Sequence, residues 1–413
     1  MRVALINSVA GYGSTGKLAE MLGEGLDHRI YYGRKSAAVD MNGMKTEVKN
    51  DETHFYFGSG LSFASHMIST FLIDNHGFAS TVETERMLKD LEAYQPDLVH
   101  LHNLHGYYLN VRPLFNYLKD SGVKVIWTLH DCWPFTGHCA HYTSVHCEKW
   151  KEGCFNCPAL DHYPPTWNGN HVKKNYRNKK SLFTSLKEDQ MVIVTPSKWL
   201  KEEVEQSYLG KYEVKAIPNG IDLSRFSRHT ADIASVRTKY GIGEKFLILA
   251  VAGVWYPEKG TEDLIKISKV IHRDSVLVVV GASGSFAKQL DRENVITIAR
   301  TESTEELAKL YSAADVLVNP TREDTFPTVN IEAQACGCPV VTYNTGGSPE
   351  ILSENTGISV EPENVNKLLK ALAFIRTKEV QFKPEDCIEN ARQYSREIML
   401  TAYRKLYEEV TEK

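Results

Sequence analysis

The chain has 413 residues, with 48 Lys and Arg against 52 Asp and Glu, for a formal net charge of −4. Its hydrophobic fraction of 42% and charged fraction of 24% are those of an ordinary folded protein, long enough for two or three domains of roughly 150 residues. The slightly negative balance excludes a nucleic-acid binder that works through an overall positive field.

The first apolar run, residues 2–8, reads as a strand. It is too short for a secretory signal, so a cytoplasmic location is expected. It leads into Gly11-Tyr12-Gly13-Ser14-Thr15-Gly16-Lys17 and then an amphipathic helix. A glycine-rich turn entering a helix lets backbone N–H groups approach a phosphate, and the helix dipole favours the anion. The spacing is nearly that of a P-loop, but Leu18 stands where Ser or Thr must hold magnesium. A phosphate or sugar cradle at Gly13, Gly16 and Lys17 is therefore favoured over a P-loop NTPase or switch, and over a plain tight turn. The apolar-rich stretch 55–73 is broken by Gly58, Gly60, Ser62, Ser65, His66 and Ser69. It falls short of the ~20 apolar residues of a membrane span and reads as an ordinary buried helix in preference to a lipid contact.

Strands over 97–102 and 124–130 end in His102-Asn103 and His130-Asp131. Strand ends of this kind line the ligand-binding edge of open α/β sheets. His100 is placed on the opposite face of its strand. Next come Cys132, Cys139, Cys147, Cys154 and Cys157 in an insertion at about 132–165. Without an export signal, thiols or metal ligands fit better than disulfides. Cys154-Phe155-Asn156-Cys157 has the spacing of a ligand pair, and with Cys139 and Cys147 it would make a four-coordinate structural zinc site. Free thiols and an occasional disulfide are the alternatives.

A strand over 191–196 precedes the turn Ile217-Pro218-Asn219-Gly220-Ile221-Asp222, where a domain boundary is expected. Further strands follow at 246–253, 275–281, 295–299, 315–319 and 339–343. Runs such as Val276-Leu277-Val278-Val279-Val280 are apolar on both faces, as in parallel sheets covered by helices on both sides. Thr304 is the expected cap of a helix through Tyr311, and one last helix is expected over 388–409. Its apolar positions are Tyr394, Ile398, Ala402 and Leu406.

Three motifs in the second half carry chemistry. Val254-Trp255-Tyr256-Pro257-Glu258-Lys259-Gly260 follows a strand, and Asp324 and Glu332 follow another, each with its acid or base at the strand's carboxyl side. Thr345-Gly346-Gly347-Ser348-Pro349-Glu350 follows a third; a glycine cradle and a plain αβ connection both fit it. No Asp-x-Asp occurs, so the diphosphate–metal handle of that motif is missing.

These motifs resemble those of the retaining glycosyltransferases of family 4, and the resemblance runs from Gly11 to the last helix. The family's acid motif is Glu, seven residues, Glu; here Asp324, with Glu323 beside it, takes the first place and Glu332 the second. The segment 96–108 resembles enzymes of capsular and exopolysaccharide assembly, including the colanic-acid pathway. The resemblance implies two doubly wound Rossmann-like domains facing a cleft, the GT-B fold. Residues 1–215 would form the acceptor-side domain and 216–387 the nucleotide-sugar domain, with 388–413 crossing back as a terminal helix. It implies transfer of a hexose from a UDP- or GDP-sugar to a hydroxyl of a saccharide or lipid-linked saccharide, in surface polysaccharide assembly at the inner membrane face. No cofactor would be required for catalysis, and peripheral membrane association is implied. Lys259 would grip the donor diphosphate, Glu332 the ribose, and Asp324 and His130 the donor sugar. His102 and Asn103 would be acceptor-side groups. Val254 stands at the family's arginine position; Arg322 and Arg300 are the candidate substitutes, and a catalytically silent sugar-nucleotide binder is a further alternative.

Overall fold

The computed structural model describes residues 1–35 and 50–412. The chain divides into two compact units, Met1–Ile217 with Leu400–Lys413, and Pro218–Met399. Among the described residues the first holds seven strands: β1 (Arg2–Asn7), β2 (Asp27–Tyr32), β3 (His54–Tyr56), β4 (Leu98–Leu101), β5 (Lys124–Thr128), β6 (Met191–Thr195) and β7 (Glu213–Ala216). They form one parallel sheet in the order β3-β2-β1-β4-β5-β6-β7. The second holds β8 (Phe246–Val251), β9 (Ser275–Val280), β10 (Val295–Ile298), β11 (Val316–Asn319), β12 (Val340–Tyr343) and β13 (Gly357–Val360). Their order is β10-β9-β8-β11-β12-β13, again all parallel.

Alternate residues of one strand enter different cores, the signature of a sheet covered on both faces. Val276, Val278 and Val280 of β9 lie in one cluster, Leu277 and Val279 in another. In both sheets the strand order runs outward one way and then returns to run the other. The reversal falls between β1 and β4 in the first sheet and between β8 and β11 in the second. At such a switch point the two flanking loops diverge to opposite faces and leave a crevice at the strands' carboxyl ends.

All nine strands expected from sequence are present. β2, β3, β7 and β13 were not expected, because they are short or half-exposed and carry polar residues. β5 stops at Thr128, so His130 lies two residues past the strand. The single C-terminal helix expected over 388–409 is two helices, Pro384–Arg392 and Arg396–Thr411. The chain breaks there because Ile221 competes for the backbone. Its N–H donates to the Tyr394 carbonyl at 2.9 Å, and its carbonyl accepts from Arg396 N–H at 2.8 Å. The buried face of the last helix is Met399, Tyr403, Leu406, Tyr407 and Val410; Ile398 is exposed. The helix Thr304–Ala313 is capped by Ser303, not Thr304: Ser303 Oγ accepts from Glu306 N–H at 3.0 Å.

The helix Gly60–Ile73 is not the buried helix expected. Its buried positions are His66 and Thr70, while Leu61, Met67, Ile68, Leu72 and Ile73 are exposed.

Candidate functional site

In the second unit, the loop after β8 and the loop after β11 flank the switch point. Lys259 Nζ sits 2.5 Å from Asp324 Oδ2. Glu258 and Arg322 tie the same loops through the backbone, Arg322 N–H donating to the Glu258 carbonyl at 2.7 Å. Gly260 turns the chain directly after Lys259 with φ +82°, and a Cβ there would lie 2.2 Å from the Pro320 carbonyl oxygen. Only glycine permits that approach. Burial alone would lower the Lys259 pKa; the charge and hydrogen bond of Asp324, together with Tyr256 and Glu323, outweigh it and hold the ammonium above its usual range.

The glycine turn after β12 joins this loop pair. Gly347 N–H donates to the Asp324 carbonyl at 3.3 Å, and Thr345 Oγ1 donates to the Arg322 carbonyl at 3.0 Å. Glu332 lies on the helix Thr328–Ala335, and its Oε2 accepts from the Tyr311 hydroxyl at 3.1 Å. Arg322 is engaged elsewhere: its Nη2 meets Asp263 Oδ2 at 3.0 Å and Glu262 Oε2 at 3.6 Å, and Tyr343 donates to the same Asp263 oxygen at 3.1 Å. As a substitute for the arginine missing at Val254 it is already neutralised. Val254 and Arg300 are exposed. Asp263, which organises Arg322 and Tyr343 while fully buried, was missed by sequence reasoning; a carboxylate in the first turn of a helix reads as an ordinary helix acid.

In the first unit, the loops after β1 and β4 flank the other switch point. They are joined by Asn7, whose Nδ2 donates to the Val9 carbonyl at 2.8 Å and to Thr15 Oγ1 at 3.3 Å, and whose Oδ1 accepts from Asn103 N–H at 3.4 Å. The glycines separate in role. A Cβ on Gly16 would crowd Val9, at 3.1 Å from Cγ2, so Gly16 serves close packing of loop and helix. Gly13, at φ +65°, has open space around it, and Lys17 is exposed. Leu18 is buried, so the position that a P-loop gives to a magnesium-binding hydroxyl belongs to the core here.

His102 and His130 stack with ring centroids 5.5 Å apart and planes 15° apart, and His102 Nδ1 lies 3.2 Å from His130 Nε2. His102 is buried, and its Nε2 has no hydrogen-bond partner. Burial lowers the pKa of His130 to about 4 and that of His102 well below its usual value, so both are neutral near pH 7. His100 does not face away: it shares the face of His102, with centroids 4.2 Å apart, as residues two apart on a strand must. It bonds Tyr407 OH at 2.6 Å and Thr128 Oγ1 at 2.8 Å, and so anchors the last helix. Asp131 pairs with His105 at 2.6 Å and accepts from Trp133 N–H at 2.9 Å. Burial would raise its pKa, but the His105 charge and hydrogen bond hold it at about 2. This His105–Asp131 pair went unread because the two residues are 26 positions apart.

Cys139, Cys147, Cys154 and Cys157 line one cavity of about 10 Å³, room for a single water-sized body. Among the described residues no group of three or more His, Cys, Asp or Glu is arranged to hold a metal ion, and the cysteines are free thiols. A hydrogen bond from Cys139 lowers the Cys157 thiol to about 6, while burial raises Cys154 to about 12.

Comparison with known proteins gives these two edges a family. Residues 232–394 match the family described as Glycosyl transferases group 1, and residues 65–225 match Glycosyltransferase Family 4. The chain is a glycosyltransferase. It is 27% identical over 325 residues to WcaC of Escherichia coli K12, a glycosyl transferase assigned to colanic acid biosynthesis, covering 76% of each chain. A D-inositol 3-phosphate glycosyltransferase of Actinosynnema mirum is 28% identical over 269 residues, covering 57% of this chain and 64% of that one. Among solved structures, sucrose-phosphate synthase from Thermosynechococcus elongatus superposes with TM-score 0.72 at 16% identity, covering 99% of this chain and 98% of that one. Anabaena HepE in complex with UDP gives TM-score 0.67 at 14% identity, covering 99% of each. The fold of this glycosyltransferase is GT-B, two parallel-sheet α/β domains.

Proposed function

We propose that the enzyme transfers a hexose, with retention of configuration, from a nucleoside diphosphate sugar to a hydroxyl acceptor in surface polysaccharide assembly. The observation that carries this reading is the Lys259–Asp324 pair at the β8/β11 switch point. A buried-edge ammonium held charged by a carboxylate is a ready anion site: an arriving diphosphate takes over Lys259 and releases Asp324 to the sugar hydroxyls. Glu332 offers two carboxylate oxygens to the two ribose hydroxyls.

Departure of the diphosphate from the face the acceptor enters would pass through an oxocarbenium-like transition state. Charge then develops on the leaving phosphate, where Lys259 and backbone N–H groups of the glycine turn are fixed in advance. Such a site stabilises the leaving group with the chain's own cation and dipoles. At the first unit's switch point, the neutral His130 and the loop at Gly13 and Lys17 would serve sugar and phosphate groups, with Asn103 toward the acceptor. His102, being buried, would act by orienting His130.

The relatives support a nucleotide-sugar donor: HepE is known in complex with UDP and with UDP-glucose, and WcaC with its polysaccharide assignment supports the acceptor class. The test is transfer or hydrolysis of a panel of sugar nucleotides by the purified protein, followed by mass spectrometry. Turnover of a UDP- or GDP-sugar, lost in Glu332→Ala, is the expected result. Binding of sugar nucleotides without turnover would make the protein a silent binder, and strict dependence on ATP with magnesium would move the function to the residue 11–17 loop.

A further inference from the structure

The carboxyl edge of the first sheet carries a cluster of side chains that the proposed reaction does not use. It gathers around Arg34, two residues past the end of β2. Arg34 N–H donates to the Ser8 carbonyl at 2.9 Å, and the Tyr12 hydroxyl donates to the Arg34 carbonyl at 3.3 Å, which ties the residue to the loop after β1. The loop after β4 comes to meet it. A Cβ on Gly106, at φ +115°, would lie 3.7 Å from Arg34 Nη1 and 3.3 Å from Ser8 Cβ. Three loops therefore converge on one guanidinium, at the edge where open α/β sheets bind ligands.

The groups around it are aromatic. The guanidinium lies over the Phe63 ring at 5.3 Å. Phe63 meets Tyr107 edge-on with centroids 5.7 Å apart, and Tyr107 meets Tyr163 edge-on at 6.0 Å. Burial raises the pKa of Tyr12, Tyr107 and Tyr163, and the Arg34 charge opposes it at all three, so one cation sits close to three phenols. Tyr163 is 39% exposed, which opens the cluster to solvent on that side. Tyr107 has φ +65°, an uncommon conformation for a bulky side chain and one that clusters at ligand sites. It is held there from below: Gly106 N–H donates to His76 Nε2 at 3.2 Å, and the His76 ring packs on Tyr107 at 4.7 Å.

Charge selects the ligand. Among the described residues no carboxylate pairs with Arg34. The acid of the cluster, Asp131, is already taken by His105 and by the Trp133 N–H, and the Tyr163 hydroxyl lies 3.3 Å from the other nitrogen of His105. A half-buried cation without a counter-charge is costly, and an anion that reaches it offsets the cost. One guanidinium matches one negative charge, and its planar fork makes two parallel hydrogen bonds to a carboxylate. The rings of Phe63, Tyr107 and Tyr163 with their phenol hydroxyls add what a sugar ring needs, apolar surface carrying a few placed polar groups. We propose that Arg34, with Tyr107 and Tyr163, binds the carboxylate of an acidic sugar, a uronic acid residue of the saccharide acceptor. That this sugar is the acceptor rests on the proposed transfer reaction; the binding of a uronate stands on this cluster alone.

The test is a ligand-observed NMR titration of the full chain with methyl glucuronide and with methyl glucoside, which differ only at the carboxylate carbon. Wild type should bind the glucuronide at least about tenfold more tightly, the gain of a charge-assisted bidentate contact. Arg34→Met should remove the preference and leave glucoside binding as it was. Arg34→Lys, which keeps the charge and loses the fork, should retain only part of it, and it carries the test if the methionine variant fails to fold. UDP binding, measured on the same preparations, should be unchanged in both variants, which keeps failure of this site distinct from failure of the donor reading. Equal affinity of wild type for the two glycosides, binding of neither, or a preference that survives Arg34→Met overturns the proposal. Tighter binding of glucose 6-phosphate than of the glucuronide assigns Arg34 to a phosphate and also overturns it.

Discussion

Lys259 and Asp324 show how an ion pair can be poised for a ligand instead of for stability. Both side chains keep about a fifth of their surface exposed, at 23% and 19%, and pairs in that setting contribute about 1 kcal/mol or less. Lys259→Ala should therefore leave the melting temperature within a few degrees of wild type while lowering kcat/KM by about 10²–10³, the usual loss for one charge-stabilising donor. Parallel loss of both quantities would make the pair structural. The cysteines give a second residue-scale expectation. With its thiol brought down to about 6 by Cys139, Cys157 should alkylate first near neutral pH, well ahead of Cys154, Cys336 and Cys387, which burial raises to about 12. Timed labelling with iodoacetamide and peptide mass spectrometry reads this order; equal rates at Cys154 and Cys157 would contradict it.

At the scale of elements, the turn at Gly260 fixes where Lys259 stands. Gly260→Ala places a Cβ against the Pro320 carbonyl in a left-handed conformation, at a cost of about 1–3 kcal/mol. Denaturant unfolding should show that loss, and an unchanged midpoint would mean the two loops can part freely. The strand-to-loop pattern around this turn was legible from sequence, because β8, β9, β11 and β12 are largely apolar on both faces and are followed within three residues by glycine or proline. The less regular parts were not. β3 has three residues and β13 four, too few for a period to register. The break at Tyr394–Ser395 depends on Ile221, more than 170 positions away, and the helical spacing on either side hid it. The helix at Gly60–Ile73 was legible as a helix but not in its facing, since apolar content alone predicts burial and only the bonds of His66 turn it outward. The candidate site divided the same way. Lys259, Asp324 and Glu332 follow a linear motif, whereas Asp263, Asn7 and the His105–Asp131 pair are set by partners distant in sequence.

For the whole molecule, the two units should respond differently to acid. The first buries His66 and His100 and half-buries His130, with pKa values of about 4, 3 and 4, all lowered first of all by loss of solvent. In the unfolded chain they titrate near 6.5. Each group's folded pKa is depressed, so its neutral form favours folding above about pH 6.5; that contribution is lost progressively as pH falls toward about 4. Fluorescence of the buried Trp127, Trp133 and Trp150, all in the first unit, should report a melting temperature that drops across this window. Because Tyr403 and Tyr407 bond Thr128 and His100, His100→Phe should also loosen the last helix. A first-unit transition flat from pH 7 to pH 4 would remove the histidines from the account.

The central claim is that a nucleoside diphosphate sugar is gripped at the switch point of the second sheet. Hydrogen exchange with and without UDP, in the absence of divalent metal, tests it most directly. The account predicts slowed exchange in the loops at residues 253–260, 322–328 and 345–348, abolished by Lys259→Ala. No protection there, or protection confined to residues 11–17 and dependent on magnesium, would contradict it.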